Sequence, residues 1–394
     1  MTDRPLKIAY LCDFSPEDRN LYSGGNARMY DALRKHVGEV TILSNRWGLA
    51  EPLRRLMHAL PDRINIRARW RLHLALGRVI ARTVQAELRR TRYDVLFTPY
   101  SFQSLAGLRP PAGMVTAFTS DATMTGYKRS EIGQSFGSFF APARLLDPLV
   151  LGAERRIFRA CDLLLWPGEW QKQTADALYG LDDARSVVVP WGANVEDPGP
   201  GAPVALAPDA PLRLLFVGRD WWAKGGPLVA ETVERLRAGG IDARLTVIGS
   251  TPPLAPADWL TVHPSLDKAV PGELASFEAA FRAAHFLFMA SFESWGFAFC
   301  EASAYGLPSL ALRVGGVPVR DGINGHALPP GSDAEAFAAV IRRYLADPAA
   351  YAALRASARR EYEQYLNWDA WAKRVGELFR RKLAQKRGGG QSGG

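Results

Sequence analysis

Short apolar runs, most of them continuous rather than alternating, recur along this chain with longer helix-like stretches between them. In the first half they fall at 7–12, 40–43, 95–99, 114–119, 163–167 and 187–190. In the second half they fall at 212–218, 244–249, 260–263, 286–290 and 309–312. A strand covered on both faces has no wet side to alternate toward, so such runs read as parallel strands. Strand, helix and strand in repetition predict an α/β fold built on parallel sheets. Between the two series lies NVEDPGPGAPVALAPDAP, rich in Pro, Gly and Ala and without periodicity, which reads as a linker. The pattern therefore predicts two α/β domains of similar size with a cleft between them, and ligands at the carboxyl ends of the strands.

Composition removes several alternatives. A chain of 394 residues with 47% hydrophobic and 23% charged residues can bury large cores, which excludes wholesale disorder. Its apolar runs are too short to cross a bilayer. The start, MTDRPLKIAYLCDF, has too short an apolar run for a signal peptide. The three cysteines, Cys12, Cys161 and Cys300, are scattered and form no CxxC pair, against both a disulfide framework and a cysteine zinc site. The expected location is the cytoplasm. Net charge is +9, and the window 54–92 holds eleven arginines against Asp62 and Glu87, which matches the charge of the whole chain.

Within that window a helix is predicted over 69–90. At 100° per residue Arg71, Arg78, Arg82 and Arg89 fall within about 20° of one line, with Leu72, Leu76, Val79 and Thr83 beside them and Trp70 at the entry. Such a helix can lie on an anionic membrane, or be an ordinary surface helix with a solvated face. Nucleic acid is not an expected partner, since no zinc-finger, RRM-like or KH-like signature is present.

Two segments carry candidate chemistry. In the first, RLLFVG runs into RDWWAKGG and then a helix from about Pro227. Glycine after a strand lets backbone N–H groups approach an anion. Arg219 offers a planar fork of donors and Lys224 a mobile charge, both within reach of one diphosphate. It is not a Walker A loop, because GxxxxGK[ST] is missing. In the second, MASFESWGFAFCEASAYGLP, a strand ends, a turn follows, and a helix starts near Phe297. The amides of Gly296 and Phe297 form a helix N-terminus. Glu293 in the turn and Glu301 in the helix are acceptor-only carboxylates suited to vicinal hydroxyls. The doublet of Trp221 and Trp222 reads either as a stacking surface for a base, sugar or lipid or as a packing anchor.

These two segments, with GGVPVRDGINGHALPPG after them, resemble the retaining GT-B glycosyltransferases of sequence family four (glycosyl transferases group 1). Glu293 and Glu301 fall on the Glu-x7-Glu element. The segment 154–195 is similar to the end of that family's first domain, YSGGNARMYDALRKH to its glycine loop, and YLNWDAWAKRVGELF to its final tryptophan-bearing helix. The resemblance implies a GT-B fold, two Rossmann-like parallel-sheet domains facing across a cleft. The domains expected are 1–195 for the acceptor, a linker at 196–211, 212–366 for the nucleotide sugar, a helix at 367–387 packing back on the first domain, and a flexible tail at 388–394.

It also implies retaining transfer of a hexose from a nucleotide-diphosphate sugar, UDP- or GDP-linked, to a lipid-linked or polysaccharide acceptor. Glu301 would hold the ribose, and Arg219 and Lys224 the leaving diphosphate. The amides at Gly218, Gly296, Phe297, Gly24 and Gly25 would add donors, and Glu293 would hold the donor sugar's hydroxyls. The transition state would resemble an oxocarbenium ion, stabilised mainly by electrostatics. No Asp-x-Asp occurs, so no metal or other cofactor is expected. The chain departs from the family pattern in two places. Ser120 and Asp121 stand where His-Asp is common, leaving Asp121 either to contact sugar or acceptor or to cap a strand end. Val319 and Arg320 follow the GGxP proline where an acidic residue is common. The alternatives are a GT-B epimerase or phosphorylase, or a silent sugar-nucleotide-binding protein. A nicotinamide oxidoreductase is disfavoured because GxGxxG does not follow the first strand, and a glycosidase needs no cationic diphosphate clamp.

Overall fold

The structure is a computed structural model describing residues 4–19, 21–44, 46–59, 62–131, 133, 145–201, 204–207 and 210–389. It divides into two compact units, one formed by Met1–Trp191 with Trp368–Gly394 and the other by Gly192–Asn367.

The first unit carries a six-stranded sheet in the order β2-β1-β3-β4-β5-β6. Its strands are β1 (Leu6–Tyr10), β2 (Gly38–Ile42), β3 (Val95–Pro99), β4 (Val115–Thr119), β5 (Leu163–Trp166) and β6 (Ser186–Val188), and every pairing is parallel. The described helices between them are α1 (Gly25–His36), α2 (Glu51–His58), α3 (Asp62–Arg90), α4 (Met124–Arg129), α5 (Asp147–Ala160) and α6 (Glu169–Tyr179). The second unit repeats the plan in the order β12-β11-β10-β7-β8-β9. It comprises β7 (Leu212–Val217), α7 (Gly226–Ala238), β8 (Ala243–Ile248), β9 (Leu260–His263), α8 (Pro271–Ala283), β10 (Phe286–Met289), α9 (Phe297–Ala304), β11 (Ser309–Leu312), β12 (Gly325–Leu328), α10 (Ala334–Ala346) and α11 (Pro348–Gln364). It too is parallel throughout.

Burial explains the composition of the strands. Every residue of β3, β4, β5 and β10 is buried, whereas the edge strand β2 alternates between half-buried and exposed. Continuous apolar runs thus mark central strands with helices on both faces. Strand β12 was not foreseen because GHAL has neither length nor apolar continuity. Its register against β11 needs a glycine, since a Cβ on Gly325 would lie 2.7 Å from the Ser309 carbonyl carbon.

Residues 194–211, read from composition as a linker, belong to the second unit together with the two residues before them. The Ala193 N–H donates to the Leu366 carbonyl at 2.9 Å, Leu206 is buried, and Arg359 pairs with Asp197 at 2.8 Å. The terminal helix α12 (Trp368–Gly389) belongs to the first unit. Trp371 and Phe379 lie 6.0 Å from the Phe97 ring, Lys35 pairs with Asp369 at 2.7 Å, and Lys386 pairs with Asp162 at 2.6 Å. Of the tail expected at 388–394, Gly388 and Gly389 belong to α12, and residues 390–394 lie outside the described residues.

Candidate active site

In the second unit β7 leads to β8 on one side, while β10 lies on the other. The strand order therefore reverses between β7 and β10, and the carboxyl ends at such a switch point form the crevice where ligands bind in these sheets. The two candidate segments leave the sheet from these two strands.

After β7, Gly218 still bonds into the ladder, its N–H donating to the Ile248 carbonyl at 2.8 Å. The loop then turns tightly, with the Asp220 carboxylate accepting the Ala223 N–H at 2.9 Å. Trp221 is buried 5.0 Å from the Phe216 ring and lies directly against Gly226, whereas Trp222 is 69% exposed. The doublet thus splits into an anchor and a solvent-facing indole. Gly225 has φ of +75° and caps α7. Lys224 donates to Glu293 Oε1, an oxygen that also accepts the Ser291 hydroxyl at 2.8 Å. Arg219 is exposed and forms no ion pair with the described residues, so its guanidinium stays available.

After β10, the turn carrying Glu293 is tied to the GGVP segment by the Gly316 N–H, which donates to the Glu293 carbonyl at 2.9 Å. Gly296, at φ of +87°, caps α9, which opens at Phe297. Glu301 lies one turn in, with its side chain only 6% exposed, and is paired by Lys268 Nζ at 2.6 Å. Lys268 lies 33 residues away on the loop after β9. Its ammonium also stands 4.3 Å over the Phe277 ring. Each carboxylate of the Glu-x7-Glu element therefore has its own lysine. Arg320 turns instead to Glu361 at 2.9 Å, and Val319 is buried.

The first unit has a switch point of its own, between β1 and β3. Beyond β1 the chain passes through three consecutive residues at positive φ, Tyr22, Ser23 and Gly24 (52°, 54° and 85°), before α1 starts at Gly25. Tyr100, just past β3, also has positive φ (58°), and its ring stacks on Tyr22 at 4.0 Å with an interplanar angle of 3°. Backbone strain of this kind collects at functional sites. Burial raises the Tyr100 hydroxyl pKa far above its usual value, and the nearby Asp121 charge adds to the rise. Asp121 follows β4 but does not cap α4. Thr123 does that, its hydroxyl accepting the Gly126 N–H at 3.1 Å.

The family model described as Glycosyl transferases group 1 matches residues 211–347, and that described as Glycosyltransferase Family 4 matches residues 26–197. The chain belongs to the group 1, family-four glycosyltransferases. A glycosyltransferase from Rickettsia africae ESF-5 has a similar structure at a TM-score of 0.61 and 14% identity, over 96% of this chain and 99% of that one. WaaG, a glycosyltransferase involved in lipopolysaccharide biosynthesis, follows at 0.56 and 15%, over 94% and 99%. The fold is GT-B. In sequence the chain is 29% identical to the D-inositol 3-phosphate glycosyltransferase of Xylanimonas cellulosilytica, over 76% of this chain and 75% of the relative. It is 31% identical to the protein of that name from Kineococcus radiotolerans, over 59% and 60%.

This glycosyltransferase carries polar residues at both switch points that sequence reasoning missed. Lys268 left no local signal. In the first unit Asp13, with its side chain 5% exposed, accepts from Gln103 Nε2 and from the Ser104 hydroxyl at 3.0 Å. Its N–H donates to Ser101 Oγ at 2.8 Å, and buried His73 lies 3.7 Å away. Nearly ninety residues separate Asp13 from Ser101, which only the β1–β3 pairing brings beside it. The arginine helix also differs in detail. Arg78, Arg82 and Arg89 are exposed and Arg71 is half-buried. The stripe facing the core is Ile80, Val84 and Leu88, while Leu72, Leu76, Val79 and Thr83 are only half-buried flanks.

Proposed function

We propose that this glycosyltransferase moves a hexose from a UDP- or GDP-sugar with retention of configuration and without a metal ion. The observation that carries the reading is the pair of carboxylates at the β7–β10 switch point, Glu293 and Glu301, each bonded to a lysine. Glu301 has one oxygen on Lys268 and a second to accept the ribose diol. Lys224 has three ammonium donors. With one on Glu293, the others remain for the diphosphate, and exposed Arg219 adds a bidentate fork. Amides at Gly296 and Phe297 supply further donors at the N-terminus of α9, whereas the Gly218 N–H, also expected as a donor, is taken by the Ile248 carbonyl in the ladder. As the anomeric carbon–oxygen bond breaks, negative charge grows on the diphosphate and positive charge on the sugar ring. The cations meet the first and Glu293 the second, which is electrostatic stabilisation aimed at developing charge. In the first unit the amides of Gly24 and Gly25 are proposed as further donors to the nucleotide sugar, and Asp121 as a contact to sugar or acceptor.

The names of the sequence relatives favour a small phosphorylated, hydroxyl-rich acceptor over the lipid-linked or polysaccharide acceptor expected from the sequence. A membrane-proximal acceptor is supported by a separate observation. Leu49 is 88% exposed and Leu56 64% exposed, on a segment that packs against the arginine-lined α3. Co-sedimentation with vesicles containing anionic lipid, lost in Leu56→Glu, would favour that second reading. No binding to such vesicles would leave the small acceptor.

The donor site is tested by a thermal-shift screen of UDP, GDP, ADP and their sugar conjugates in EDTA, on wild type and Arg219→Ala. A ligand at 100 times its Kd stabilises by about 2.7 kcal/mol. A shift with one nucleotide that shrinks in the variant supports the clamp, whereas no shift with any nucleotide sinks it. The anomeric configuration of the product, read by NMR, tests retention.

A further inference from the structure

Glu301 lies where a carboxylate has lost most of its contact with water. Its side chain is 6% exposed on α9, and stripping water from a lone carboxylate is costly unless a counter-charge replaces it. Lys268 is that counter-charge, and it is held from three sides. Its ammonium donates to Glu301 Oε1 at 2.6 Å, lies 3.5 Å from the Asn194 carbonyl oxygen, and stands 4.3 Å over the face of Phe277, itself buried on α8. Cation–ring attraction of this kind strengthens with desolvation. The lysine side chain is 37% exposed, and its ammonium occupies one carboxylate oxygen only. Among the described residues nothing donates to Oε2.

A buried carboxylate with one oxygen paired and the other unbonded can accept hydrogen bonds from both hydroxyls of one vicinal diol. Without the lysine nothing among the described residues holds the carboxylate in that orientation by Oε1, and a carboxylate free to turn presents Oε2 less often to the diol. We infer that Lys268 is the positioning residue that fixes Glu301 by its Oε1 and leaves Oε2 open, so that discrimination for the 2′,3′-diol of a ribonucleotide depends on a lysine 33 residues away from the carboxylate that reads it. This rests on the proposal that Glu301 holds the ribose.

The test is calorimetric binding of UDP and GDP, each beside its 2′,3′-dideoxy form, to wild type, Lys268→Met, Lys268→Arg and Glu301→Ala. Hydrogen bonds to a charged group set the scale, so wild type should prefer the ribonucleotide by about 10- to 100-fold. Lys268→Met should cut that preference to about threefold or less by weakening only the ribonucleotide, and Lys268→Arg, which keeps the charge and the ring contact, should restore most of it. The readout is a ratio within each variant, so a reduced folded fraction cancels, and Lys268→Gln replaces the methionine variant if that one does not fold. An undiminished preference in Lys268→Met, or equal losses for ribo and dideoxy forms, overturns the role of Lys268. If Glu301→Ala keeps the preference, or wild type binds neither nucleotide, the ribose assignment itself fails and the inference falls with it.

Discussion

The loop bearing Lys224 meets the turn bearing Glu293 at one crowded point, Gly225, and adding a single methyl group there tests how the two are held. Gly225 has φ of +75°, and a Cβ on it would lie 2.6 Å from the Ala290 carbonyl carbon, 2.9 Å from the Ala290 side chain, and closer still to the carbonyl oxygen. Two effects add in Gly225→Ala. The left-handed backbone costs a residue with a Cβ roughly 1–2 kcal/mol. Ordinary carbon–carbon contact is about 3.5–4.0 Å, so the backbone at Gly225 or Ala290 must move by about 1 Å, an overpacking strain of about 1–3 kcal/mol. Gly240 supplies the control, with φ of +83° and nothing within 4 Å of its Cβ position, so Gly240→Ala bears the backbone cost alone. At about 2–4 °C per kcal/mol for a unit of this size, Gly240→Ala should lower the melting of the second unit by about 2–8 °C and Gly225→Ala by about 4–20 °C. The loop shift should also part Lys224 from Glu293. Misplacement by 1 Å can cost about 100-fold in turnover, so transferase activity should fall by that order in Gly225→Ala and stay near wild type in Gly240→Ala, measured at a temperature where both are folded. If the two variants melt alike and Gly225→Ala keeps its activity, the crowding between the β7 and β10 loops does not hold the site.

Glu293→Gln should lower kcat by about 100- to 1000-fold, the scale for losing one preorganised electrostatic group, while donor binding by calorimetry changes far less. A loss confined to KM would show that Glu293 serves binding only. Trp221→Ala should destabilise by about 3–5 kcal/mol in denaturant melts because it empties a buried site. Trp222→Ala should fall within about 0.5 kcal/mol of wild type, and a reversed order would refute the split of the doublet. His285 is buried, with Nδ1 accepting the Arg213 N–H at 2.9 Å and Nε2 3.1 Å from the Ala205 carbonyl oxygen. Burial lowers its pKa to about 4. Between about pH 6.5 and pH 4 the unfolded imidazole binds a proton that the folded one refuses. Its contribution is therefore fully present above pH 6.5 and is lost as pH falls toward 4, on the order of 3 kcal/mol at most. His285→Gln should flatten that part of the stability–pH curve, and an unchanged slope would show that the imidazole titrates normally.

Features that depend on neighbours in the chain were legible in the sequence. Central strands such as β3 and β10 are read from apolar continuity because both faces are buried. The loops 218–226 and 291–301 are read as candidate ligand loops because strand, glycine turn and helix start follow one another without interruption. Edge strand β12 escaped, since its four residues are specified by pairing with β11 and by the room a glycine leaves beside Ser309, not by their own pattern. The terminal helix and its return to the first unit came from the resemblance of YLNWDAWAKRVGELF to a family segment, whereas its contacts with Phe97 and Asp162 are set by packing. Tertiary structure alone decided which charge faces which. It brought Lys268 to Glu301 and Lys224 to Glu293, joined Asp13 to Ser101, Gln103 and Ser104 across the β1–β3 pair, and sent Arg320 to Glu361. It also buried Trp221 while leaving Trp222 in water, although the two are adjacent and chemically identical. The physical reason is that burial and ion pairing act through space. Local propensity and periodicity reach only a few residues along the chain, whereas a buried carboxylate is stabilised by whichever cation the sheet order carries to within 3 Å of it.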